Sequence, residues 1–261
     1  MADAKLLAVL IDADNVPARH AGAILREITA FGEPSLRRVY GDWSSSALSA
    51  WKEQARELGL VMHQQSANTK GKNASDIGLV IDAMDILHRG KVDGFVLVSS
   101  DSDFTRLASR IREDGLEVIG IGEAKTPESL RNVCNRFVLI ENITTLDDHP
   151  KELSPPPKPN PKLAAGQEKK AEAPTQVPMA EAPKKDPPSK VIPLVLDAMK
   201  KIDPDQEWFG LGQIGQFIVK AKPDFDSRTY GSAKLSDLLT KTGRFEVKQG
   251  SGNSLVVRDK A

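Results

Sequence analysis

Over the first 145 residues, short apolar runs alternate with stretches whose apolar residues recur at helical spacing. Leu6–Ile11, Leu36–Tyr40, Leu60–His63, Gly94–Val98, Glu117–Ile121 and Phe137–Ile140 read as strands. Between them, Pro17–Ala30, Ser46–Leu58, Asp76–His88, Asp103–Asp114 and Pro127–Asn135 read as helices. Pro17 and Pro127 stand where a helix begins, and Gly59, Gly90 and Gly115 where one ends. Strict strand–helix alternation predicts an α/β architecture, a Rossmann-like and mostly parallel sheet with crossover helices on its faces.

The pattern then stops. Ten of the 17 prolines lie between Lys151 and Ser189, a stretch rich in Lys, Glu and Ala with almost no large apolar residue. Such a composition buries too little surface to offset its ordering entropy, so residues 151–189 are expected to be a disordered linker. Periodicity resumes afterwards. Ser189 is placed as the cap of a helix over Lys190–Ile202, followed by helices near Leu211–Val219 and Ser232–Thr240. Two alternating segments, Phe245–Lys248 and Ser254–Arg258, flank the turn sequence Gln249–Asn253. Three helices and a hairpin predict a small winged helix domain over 190–261, behind an α/β domain over 1–150.

Charge adds a division that the zero net total hides. Residues 1–150 carry 17 basic against 22 acidic side chains, whereas residues 190–261 carry 12 against 9. The first domain is acidic and the last mildly basic. Cys134 is the only cysteine, which excludes intrachain disulfides and a cysteine-based zinc site. The run Leu6–Ile11 is too short for a signal core or a membrane span, so a cytoplasmic protein is expected.

A parallel sheet of this kind binds ligands beyond the carboxyl ends of its strands. Asp12-Ala13-Asp14-Asn15 follows the first expected strand, Asp42 the second, and Ser99-Ser100-Asp101-Ser102-Asp103 the fourth, while Asp76 opens the third helix. Each alone fits a helix N-cap, as Asp76, Ser102 and Asp103 illustrate. Gathered at one sheet edge, three or four carboxylates repel one another unless cations neutralise them. An all-oxygen set favours Mg²⁺ or Mn²⁺, and the scattered His20, His63, His88 and His149 offer no rival site. Gly120-Ile121-Gly122 is read as a strand end followed by a turn, not as a phosphate loop. Before Asp76, the loop Asn68–Asn73 carries Lys70 and Lys72, candidates to steer a phosphate backbone or members of an ordinary solvated loop. Trp43 and Trp51 are expected to pack, with base stacking open to Trp43.

Leu10-Ile11-Asp12-Ala13-Asp14-Asn15, Asp76-Ile77-Gly78-Leu79-Val80-Ile81-Asp82 and Leu97-Val98-Ser99-Ser100-Asp101-Ser102-Asp103-Phe104 resemble, in order, the three signatures of NYN domains. That family, in which the LabA-like bacterial proteins fall, is part of the PIN-like nuclease group. The resemblance implies metal-dependent hydrolysis of RNA phosphodiesters by an activated water. It places Asp12, Asp76 and Asp101 as acidic metal ligands, with Asn15 and Asp103 completing or orienting their shell and Asp42 as a further contributor. Asp82 matches a frequent acidic position, but six residues turn it about 600° along the helix from Asp76, away from the same face. Where Ser100 stands, relatives often have Gly.

The run from Trp208 to Val247, including Pro223-Asp224-Phe225 and Tyr230-Gly231-Ser232-Ala233-Lys234-Leu235, resembles the LOTUS or OST-HTH domain. That resemblance implies an RNA or a protein partner. Lys220, Lys222 and Lys234, with Arg228, Lys241 and Lys248, are the candidate backbone contacts. Two other classes stay open: a non-catalytic adaptor that binds RNA or protein, and a phosphohydrolase using Asp12-Ala13-Asp14 as an aspartyl-phosphate motif.

Overall fold

A computed structural model describes residues 4–64, 74–144, 185–250, 252 and 254–260. The first domain is built from strands β1 (Leu6–Asp12), β2 (Glu33–Gly41), β3 (Val61–Gln64), β4 (Gly94–Val98), β5 (Glu117–Gly122) and β6 (Arg136–Leu139). Helices α1 (Ala21–Ile28), α2 (Ser49–Leu58), α3 (Ala74–Arg89), α4 (Thr105–Glu113) and α5 (Glu128–Val133) connect them, and α6 (Ile140–Thr144) follows β6. All six strands are parallel, in the order β3-β2-β1-β4-β5-β6. The chain therefore works outward from β1 in one direction and then restarts at β4 on the other side of it.

Burial explains why β1 is apolar at nearly every position. Leu7, Val9 and Ile11 point into a core shared with Ile24 and Ile28 of α1, Trp51 of α2 and Ile143 of α6. The alternate Ala8 and Leu10 meet Leu79 and Ala83 of α3, Leu107 and Ile111 of α4 and Leu130 of α5. A sheet covered on both faces needs no polar side in its central strands. Gly59, Gly90 and Gly115 have positive φ angles of 65°, 59° and 86°, as helix-terminating glycines require. Three of the expected helices open with a short 3₁₀ turn, at Ala18–His20, Ser46–Leu48 and Ser102–Phe104. As expected, Gly120–Gly122 is the end of a strand, β5, and a turn follows at residues 124–125. A Cβ on Gly122 would come within 2.7 Å of the Ser99 carbonyl, so glycine is what lets β5 lie this close to the β4 end.

The second domain comprises α7 (Ile192–Ile202), β7 (Phe209–Gly210), α8 (Leu211–Ala221), α9 (Leu235–Thr242), β8 (Phe245–Gln249) and β9 (Leu255–Asp259). The antiparallel sheet β7-β9-β8 closes a core of Val195, Ile214, Leu238, Leu239, Phe245 and Val257. Ser189 does not cap α7 as expected. It lies inside a 3₁₀ turn, Pro188–Val191, whose first residue, Pro188, has a ring that presets φ for the turn. Of the expected linker 151–189, residues up to 184 lie outside the described residues. From 185 onward the backbone is packed, with Asp186 N donating to Thr229 O at 3.0 Å.

The two domains touch through the segment Pro223–Tyr230. Phe137 N donates to Pro223 O at 2.9 Å, Asn142 Nδ2 to Thr229 Oγ1 at 2.8 Å, and Arg131 pairs with Asp224 at 3.3 Å. Arg228 reaches across to Glu27 on α1 with two bonds, 2.6 and 3.1 Å, while Asp226 holds the same guanidinium from its own side. Burial opposes the Arg228 charge, but the bonds to Glu27 and Asp226 outweigh it and raise its pKa. This removes Arg228 from the candidate RNA contacts, since its donors are committed to carboxylates within the protein.

Candidate functional site

The strand order reverses between β1 and β4, and the carboxyl ends of these two neighbours carry Asp12 and the Ser99–Asp103 loop. Asp12 is 1% exposed. One of its oxygens accepts from Asn15 Nδ2 at 2.6 Å and Ser99 Oγ at 3.0 Å, the other from Asp14 N at 3.1 Å. Burial raises the Asp12 pKa, and the bonds from Asn15 and Ser99 counter part of that rise. A buried carboxylate with three donors is held in one orientation at the head of its strand.

Ser99 Oγ also accepts from Asp101 N at 3.1 Å, so one hydroxyl ties the β1 acid to the loop after β4. Asp101 Oδ1 accepts from Asp103 N at 2.9 Å, which makes Asp101 the N-cap of the 3₁₀ turn. The capping role expected of Ser102 or Asp103 thus falls to Asp101. Ser100 Oγ accepts from Glu123 N at 2.9 Å and fastens the same loop to the end of β5. The Ser100 hydroxyl thus makes a bond that a glycine there could not.

Asp76, in the first turn of α3, faces the same place from a third element. Its pKa is pushed up to about 6, first by burial and then by the charges of Asp12, Asp101, Asp103 and Asp14. Five carboxylates from three segments therefore share one field. As placed, no three His, Cys, Asp or Glu side chains among the described residues close tightly enough around one point to enclose an ion.

The remaining expected residues divide. Asp42 accepts from Ser44 Oγ at 2.6 Å and Gln64 Nε2 at 2.9 Å, and it is not among the charges acting on Asp76. Asp82 turns away as the helical rotation predicts, bonding Arg38 and Tyr40 of β2. Trp43 donates to His63 O at 2.9 Å and Trp51 to Val16 O at 2.8 Å, so both indoles pack. Lys70 and Lys72 lie outside the described residues. Lys220, Lys222 and Lys234 are exposed on the second domain, at the end of α8 and before α9. Sequence reasoning missed a cleft of about 610 Å³ beside Asp14 and Asn15, lined by Arg19 and by Lys125, which pairs with Glu123 at 2.7 Å. It also missed Ser99 as the link between acids, although the SxD spacing was in view.

The model of the NYN domain family matches residues 6–141, and that of the OST-HTH/LOTUS domain matches residues 183–257. No curated protein matches the chain. Among solved structures, a protein of unknown function from Vibrio parahaemolyticus is 22% identical over 54% of this chain and 95% of its own, with a TM-score of 0.46. An uncharacterized protein of Nitrosomonas europaea, solved by NMR, is 33% identical over 36% of this chain and 93% of its own, with a TM-score of 0.26. MurG of Acinetobacter baumannii is 14% identical over 52% of this chain and 40% of its own, with a TM-score of 0.36. With the six-stranded parallel sheet, its acids at the β1–β4 reversal and a family match spanning both, the chain belongs to the NYN domain family, a PIN-like nuclease fold, and carries an OST-HTH/LOTUS domain behind it.

Proposed function

We propose that this protein is a metal-dependent ribonuclease in which Asp12, Asp76 and Asp101 hold Mg²⁺ or Mn²⁺ and the second domain contributes RNA affinity. The observation that carries the reading is the state of Asp76, a carboxyl pushed up to about 6 by burial and by four neighbouring aspartates. A surface that assembles this much like charge at a ligand-binding crevice gains from a divalent cation, and carboxylate oxygens suit a hard one. The donor set fits a hard divalent ion, with phosphate oxygens and water left to complete a shell that the protein alone would not close.

A bound divalent ion would supply charge for the scissile phosphate and make an adjacent water more acidic. The chain's own residues do the rest. Asn15 and Ser99 fix the orientation of Asp12, Ser99 sets the distance from Asp12 to the Asp101 loop, and the 3₁₀ cap holds Asp101. Asp103 adds negative potential at the outer rim. Arg19, in the cleft beside Asp14 and Asn15, gives the phosphate backbone a cationic contact. Lys220, Lys222 and Lys234 extend that attraction on the second domain.

Labelled single-stranded RNA incubated with Mg²⁺, Mn²⁺ or EDTA tests this, alongside Asp12→Asn and Asp101→Asn and a generic phosphomonoester. Cleavage that requires metal and both carboxylates is expected. RNA retention without cleavage would favour an adaptor instead.

A further inference from the structure

An apolar slot adjoins the aspartates at Asp76 and Asp103. On α3, Leu79, Ala83, Ile86 and Leu87 are buried against the sheet, but Ile77 and Ile81 are 62% and 59% exposed. At about 100° per residue these two lie some 40° apart, one turn apart along the axis and more than 100° from the centre of the buried stripe. Opposite them stands buried Phe104, and with Val80, Asp76 and Asp103 they bound a cavity of about 320 Å³. The other exposed large apolar residues described, Leu6, Val61 and Met62, lie on strands elsewhere.

The slot's chemistry narrows its occupant. Its volume is at the lower end of ligand pockets, which run from about 300 to 1,000 Å³. Its charged lining residues are both carboxylates, so an anion is turned away from it while a neutral ring with apolar faces is accepted. Two isoleucines cover far less than the roughly 800 Å² per partner of a stable protein interface. Asp76 and Asp103 also belong to the acidic site, so whatever enters is part of, or attached to, the group handled there.

We propose that this slot receives one unpaired nucleobase of the RNA strand, next to the phosphate held at Asp12 and Asp101. The inference rests on the ribonuclease reading and deepens it to a base subsite, which a base within a duplex cannot enter without leaving its stack. Ile77, Ile81 and Phe104 are the slot's base-contacting residues.

The test uses the full chain and a single-stranded oligoribonucleotide carrying one 2-aminopurine, moved along it position by position, with Mn²⁺ and separately with EDTA. Entry into the slot unstacks the probe, so its fluorescence should rise several-fold at one position. Ile77→Gln/Ile81→Gln, at two exposed sites that tolerate polar residues, should abolish the rise with little change in the urea midpoint. A 4-thiouridine at the same position should cross-link wild-type protein within residues 74–89 or at Phe104. Equal responses in wild type and variant, including none, or cross-links elsewhere, would overturn the proposal. A wild-type dimer that the variant dissolves would also overturn it, by assigning the isoleucines to a second copy. If the probe brightens but no RNA is cut, the slot stands and the nuclease reading falls; cleavage without a brightening position gives the reverse.

Discussion

Ser99 bridges Asp12 and the Asp101 backbone, donating to one at 3.0 Å and accepting from the other at 3.1 Å. Replacing it with Ala takes a donor from a buried carboxylate and an acceptor from a backbone amide at once. The expected cost is about 2 kcal/mol, typical of a hydrogen bond to a charged group. Ser99→Thr, which keeps the hydroxyl, should recover most of it. Urea unfolding of the two variants measures this, and an unchanged midpoint for Ser99→Ala would remove Ser99 from the site's architecture.

Asp76→Asn should behave in opposite ways with and without metal. In EDTA the loss of one repelling carboxylate leaves stability equal or higher, by at most about 1 kcal/mol once solvent screening is allowed for, or roughly 2–4 °C in Tm. Mn²⁺ at a hundred-fold excess over its Kd should stabilise the wild type by about 2.7 kcal/mol, and Asp76→Asn should lose most of that gain. Thermal melts at several Mn²⁺ concentrations decide it.

Arg228→Ala should loosen the contact between domains. Glu27 and Asp226 would keep their charges in a partly buried place without their common partner, at a cost of about 2–3 kcal/mol, below the figure for a fully buried pair. Small-angle scattering should register a larger radius of gyration. Glu27→Gln/Arg228→Ala should cost less than the sum of the single changes, because the orphaned charge is gone.

Acid should release Asp82 from α3's attachment to β2. Burial pushes its carboxyl up, but hydrogen bonds from Arg38 and Tyr40 more than offset this and hold it below the ordinary carboxylate value. The unfolded chain therefore binds this proton more readily than the folded one. Its stabilising contribution is complete above the unfolded pKa and is lost as pH falls through the folded one. The stability gap between wild type and Asp82→Asn, followed by urea unfolding, should be constant from pH 7 to 5 and shrink below pH 4. A gap that widens with acid would contradict the sign.

Charge reversal at Lys220, Lys222 and Lys234 should flatten the salt dependence of RNA binding. At about 0.7 per phosphate contact on a single strand, losing three contacts reduces the log–log slope by about 2. An unchanged slope in fluorescence anisotropy would leave those lysines as solvated surface and shift the second domain's ligand toward protein.

What the sequence disclosed, and what it hid, follows from the range of the forces involved. Asp12 and Asp101 were legible because each ends an apolar run, and strand ends are where a parallel sheet displays its chemistry. Ser99 was not, since its bridging depends on β1 and β4 being neighbours, and the strand order cannot be read from periodicity. Arg228 looked like surface because its partner, Glu27, is 201 residues away along the chain. Ile77 and Ile81 were hidden by their neighbours: Ile77, Leu79, Val80 and Ile81 are apolar nearly all round the helix, so no stripe announced which face the sheet would leave uncovered. Asp82 was the reverse case, where helical rotation alone was enough to set it apart from Asp76.

The single bond from Phe137 N to Pro223 O has an implication for any attempt to work with the first domain alone. β6 is the last strand of its sheet, and an uncovered last strand is a template for another chain. The second domain serves as a bumper there, occupying a donor that would otherwise recruit a neighbouring molecule. A fragment cut at residue 150 would lose the proposed RNA grip and uncover that edge, and self-association on concentration is its expected behaviour.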